Sequence, residues 1–138
     1  MPSKKSIAPI PSRWIIVVVG ILRDGDIRNI RWTLTAENEF HLFGFISKEQ
    51  AYEYCIDLLL TPGIHGEMVT GMYDRIDGTL CETWAMLGSH PLGSPVDVYV
   101  KIGLHQNQVV LNLFSLHIDR TGELSSAIAE YQSKKRKK

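Results

Sequence analysis

At 138 residues, 44% hydrophobic and 22% charged, the chain has the size and composition of one globular domain and is excluded from the disordered class. Its two cysteines, Cys55 and Cys81, stand alone, which excludes a disulfide framework and a cysteine zinc module and points to a reducing, cytoplasmic compartment. The formal charges cancel overall but not locally: between Trp14 and Ser133 seven basic residues face fifteen acidic ones, so the body carries −8 and the two ends +8.

Residues 1–13 hold Lys4, Lys5, Arg13 and three prolines without a hydrophobic period, and they read as a flexible basic arm ahead of a single domain over 14–132. Trp14 to Leu22, WIIVVVGIL, is too short to span a bilayer, and its β-branched content predicts a core strand. Asp24-Gly25 then suggests a tight hairpin into a second strand, Ile27 to Thr35, with a third from Phe40 to Phe45. Ser47-Lys48-Glu49-Gln50 has the form of a capping box, and Ala51, Cys55, Leu58 and Leu59 recur at helical spacing, which predicts a helix over Lys48 to Leu60. Thr61-Pro62-Gly63 stops it.

Met68 to Ile76 and Thr79 to Leu87 flank Asp77-Gly78 and read as a second hairpin. After the loop GSHPLGSP, Val96 to Leu104 alternates apolar and polar residues, Gln106-Asn107 turns the chain, and Val109 to Ile118 runs back. Leu124, Ala127, Ile128 and Tyr131 have the spacing of a terminal helix, followed by the basic tail 133–138. The predicted fold is α+β, a mostly antiparallel sheet of six to seven strands with two helices in the order βββαββββα.

The closing hairpin concentrates the residues with chemistry. Ser115 and His117 share one face of the last strand, and Tyr99, Lys101 and His105 share the polar face of its partner. A histidine moves protons near neutral pH and a lysine stabilises developing negative charge, so this surface carries what metal-free RNA cleavage needs. The simpler expectation for the same residues is the hydrated outer face of an antiparallel sheet. His41, His65 and His90 show no zinc spacing, no cofactor motif is present, and the pairs Asp24/Asp26 and Asp74/Asp77 are explained by glycine turns.

The stretch VYVKIGLHQNQVVLNLFSLH resembles the closing hairpin of the MqsR family of mRNA-cleaving toxins, in which a V-Y-L-K-I strand pairs with a last strand ending in S-F-K. The resemblance covers about twenty residues. It implies a small α+β ribonuclease in which Tyr99 matches an active-site tyrosine and His117 stands where the family has a catalytic lysine.

Two further readings follow from charge. An acidic body repels polyanions and favours a basic protein partner, as immunity and antitoxin-type neutralisers of nucleases require. Conversely, Lys134, Lys135, Arg136, Lys137 and Lys138 suit contact with RNA or another polyanion, and in a nucleated cell they would also pass for a nuclear address. Apolar residues on the three-strand half would allow a homodimer through a sheet edge. The acidic-body binding protein is the leading expectation. Catalysis by Lys101, His117, Tyr99 and Ser115 is one alternative, and a nucleic-acid accessory protein that binds through its basic ends is the other.

Overall fold

The computed structural model describes the backbone of residues 6–136 and the side chains of residues 6–134. Lys4, Lys5, Lys137 and Lys138, and the side chains of Lys135 and Arg136, lie outside the described residues. The elements in chain order are β1 (Ile7–Pro9), α1 (Ser12–Asp24), β2 (Ile30–Trp32), α2 (Leu34–Glu39), a 3-10 turn (Phe40–Phe43), α3 (Lys48–Leu59), β3 (His65–Val69), β4 (Cys81–Gly88), β5 (Val98–His105), β6 (Leu111–Ile118) and α4 (Glu123–Arg136). They build an α+β fold around one six-stranded sheet with the order β1-β3-β4-β5-β6-β2. Every neighbouring pair is antiparallel except β2, which runs parallel to β6. Among the described residues, no helix is long and apolar enough to cross a membrane.

The predicted order βββαββββα is therefore corrected in its first half. WIIVVVGIL is not a strand but the body of α1. Trp14, Val18, Val19 and Leu22 are buried at helical spacing, while Ile16 between them is exposed. Packing of that stripe on the sheet outweighs the modest β preference of the branched side chains. Asp24-Gly25 is the end of this helix rather than a hairpin: Gly25 has φ 63° and its N–H donates to the carbonyl of Ile21. A left-handed glycine serves a helix C-terminus and a tight turn equally well, which is why the dipeptide misleads.

The second predicted strand survives only as β2, its end passing into α2, and the third, Phe40 to Phe45, is replaced by the 3-10 turn and the loop that follows. Thr33 breaks the extended run, because its hydroxyl accepts from the N–H of Ala36 and starts α2. Residues 7–9, predicted within a flexible arm, instead pair as β1 with β3, and Ser12 and Arg13 begin α1.

The second half keeps the predicted order of four strands and a helix, but its first strand is His65–Val69 rather than Met68 to Ile76: residues 70–80 leave the ladder, and the side chains of Asp74 and Asp77 take the N–H groups of Ile76, Asp77 and Thr79. Ser47 Oγ accepts from the N–H of Gln50 to open α3, and Gln50 Oε1 reaches back to the N–H of Ile46. Along β5, Val98, Val100, Ile102 and Leu104 enter the same core as Trp84 and Met86 of β4 and the inner sides of α1 and α3. A bulge interrupts the β5–β6 ladder: Lys101 pairs with Ser115 and Ile102 with Leu113, so Phe114 is the extra residue. That shift lets Leu113 and Leu116 both reach the core although they are three apart. Phe114 lies over Gly103, where an added Cβ would stand 2.5 Å from its ring. Only glycine allows this approach.

The second face of the sheet is covered differently. Helix α4 packs on β1, β3 and β4. Its Leu124 and Ala127 are buried, and Tyr131 meets His65 with ring centroids 5.3 Å apart.

Candidate functional site

Three polar groups merit separate description. The first is a buried centre on Asp74. Between β3 and β4 the chain makes an eleven-residue excursion over 70–80, joined across itself by a bridge between Tyr73 and Leu80. Asp74 lies inside it, 2% exposed. One carboxylate oxygen accepts from the N–H groups of Ile76 (2.7 Å) and Asp77 (3.1 Å), the turn geometry its sequence position foretells. The other oxygen faces Nη1 of Arg31 on β2 at 2.7 Å and Nε2 of His105 on β5 at 3.1 Å. Arg31 Nη1 also reaches Asp77 at 3.1 Å.

Because an ionised carboxylate only accepts, His105 donates to it through Nε2–H. Its Nδ1 is buried with no hydrogen-bond partner among the described residues. Asn112 of β6 extends the chain of contacts, with Oδ1 3.4 Å from His105 Nε2 and Nδ2 3.9 Å from the sulfur of Cys81.

The electrostatics follow from this geometry. Burial works to raise the pKa of Asp74, but the hydrogen bonds from Arg31, the two backbone N–H groups and Asn112 outweigh it and bring the carboxyl down to about 2. Cys81 moves the other way, to about 11, through burial and then the neighbouring Asp74 charge. Its thiol is therefore protonated and a poor nucleophile at neutral pH. Asp74, Asp77 and His105 bring three donor atoms within 4.8 Å of one another, enough to consider a metal ion. However, the Arg31 guanidinium bridges both carboxylates and already supplies their cation. Chemically the centre is a clamp that fastens the excursion to β2, β5 and β6.

Sequence reasoning read Asp74 and Asp77 only as turn residues and His105 as solvent-facing. His105 is 1% exposed and packed against Asp74. Arg31 and Asn112 were not singled out at all, since neither lies in a motif and only the sheet register brings them together.

The second group is the hairpin. Tyr99 pairs directly with His117 and Lys101 with Ser115, so all four predicted residues share one face in two adjacent rows. The Tyr99 and His117 rings stack with centroids 5.1 Å apart at 9°. His117 Nδ1–H donates to the carbonyl of Ile118 at 2.7 Å, which leaves Nε2 as the basic nitrogen. Burial, then Glu67 and Asp119, push the Tyr99 hydroxyl up to about 12, so it acts as a donor and not an anion. Ser115 is buried, while Tyr99, Lys101 and His117 are half-buried.

The third group collects surplus negative charge. Asp24 at the end of α1 and Glu49, Glu53 and Asp57 on α3 line a groove of about 510 Å³ with Arg23, Leu22, Tyr52 and Ile56. The α3 residues recur every four positions and so form one ridge. Among the described residues none of these four carboxylates is in an ion pair, whereas Arg13, Arg28, Arg31, Lys48 and Arg120 are engaged with Glu82, Asp26, Asp74, Glu37 and Glu39. Of the tail, Lys134 pairs with Glu130 one helical turn away, at 3.2 Å.

Compared with protein-family models, with curated proteins and with solved structures, the chain finds no match.

Proposed function

We propose that this is a binding protein whose acidic body docks a basic macromolecular partner through the groove between α1 and α3, in the manner of an immunity or antitoxin-type neutraliser. The observation that carries the reading is the set of four exposed carboxylates, Asp24, Glu49, Glu53 and Asp57, none of them in an ion pair among the described residues, gathered on one groove with Arg23 while Arg28, Arg31, Lys48 and Arg120 are engaged elsewhere. Unpaired surface carboxylates contribute little to folding, but together they create a field that speeds capture of a basic surface. Immobilised protein should retain a basic partner in a salt-dependent manner, and the variant Glu49→Gln/Glu53→Gln/Asp57→Asn should not. Equal retention by the parent and the neutralised variant at low salt would sink the groove as the docking surface.

A second reading is favoured by the hairpin geometry: an endoribonuclease in which His117 Nε2 is the base or acid and Lys101 stabilises the phosphate in the cleavage step, with Tyr99 and Ser115 beside them. The resemblance of this hairpin to the MqsR toxins points the same way. Inducible expression of the chain beside His117→Ala separates the readings. Growth arrest and RNA breakdown by the parent alone would favour the nuclease, and harmless expression of both would remove it.

A further inference from the structure

We draw no further inference here: the strongest candidate, the open groove of about 530 Å³ at the ends of β3, β4 and β5 lined by Met68, Leu80, Glu82 and Leu104, is a mostly apolar hollow, and nothing in the structure shows what covers it.

Discussion

Two carboxylate-rich regions of this molecule have opposite characters. Around Asp74 every acceptor is met: a guanidinium, an imidazole N–H and two backbone N–H groups converge on one buried carboxylate. Along α3 the carboxylates of Glu49, Glu53 and Asp57 stand exposed, and none is in an ion pair among the described residues. Charge satisfied inside the protein fastens one segment to another, and its removal leaves several groups stranded. Charge left unsatisfied outside holds nothing together and is available to a partner. Stability and recognition should therefore respond to different substitutions.

The sharpest test of the buried side is Asp74→Ala. It leaves Arg31 with Asp77 alone and takes the carboxylate from the Nε2–H of His105 and from two backbone donors at once, so it should destabilise the fold by about 3–5 kcal/mol, read as a lowered urea midpoint. A loss under 1 kcal/mol would mean that the clamp does not fasten the 70–80 excursion.

Acid should produce the next largest effect. The folded pKa of Asp74, about 2, lies below its ordinary value of 3.8. Its contribution is thus complete above the ordinary value and is lost as the pH falls through 2. Between pH 5 and pH 2 the parent should lose about 2 kcal/mol more stability than Asp74→Asn, which cannot titrate there. Parallel stability curves for the two proteins would contradict the ion-paired state of this carboxyl. Arg31→Gln comes third, at about 1–2 kcal/mol, because the backbone donors and His105 still serve Asp74 after the guanidinium is gone.

At the other extreme, Glu49→Gln/Glu53→Gln/Asp57→Asn should shift stability by no more than about 0.5 kcal/mol while removing the electrostatic part of partner capture. A large stability loss in this variant would erase the contrast between the two regions.

Legibility in the sequence follows how local each cause is. Helix α3 was readable because its start signal, Ser47 with Gln50, and its apolar stripe act within four residues. Strands β5 and β6 were readable because their alternation matches the pleat, apart from the bulge at Phe114, whose partner Gly103 is eleven residues away. Helix α1 was not, since nine apolar residues in a row carry no visible period and only the packing partner decides which of them face inward. Strand β2 depended on a parallel pairing with β6 across some eighty residues, which no local turn announces.

The candidate sites divide along the same line. Tyr99, Lys101, Ser115 and His117 could be placed on one face from alternation alone. The clamp could not, because Arg31, Asp74, His105 and Asn112 come from four separate stretches and meet only in the folded sheet. For Asp74 and Asp77, turn chemistry already gave a sufficient local reason, and it concealed the longer-range one. The net charge of the body was countable in advance. Its concentration beside α3 needed the fold, because it depends on which cations are engaged elsewhere.

The most direct measurement is partner capture at low salt by the parent, by the neutralised α3 variant and by Arg31→Gln, each with its urea midpoint determined in parallel. The expected result is that the α3 variant keeps its midpoint and loses capture, while Arg31→Gln loses stability and still captures when folded. If the α3 variant captures as well as the parent, the acidic groove is not the docking surface and the central claim fails.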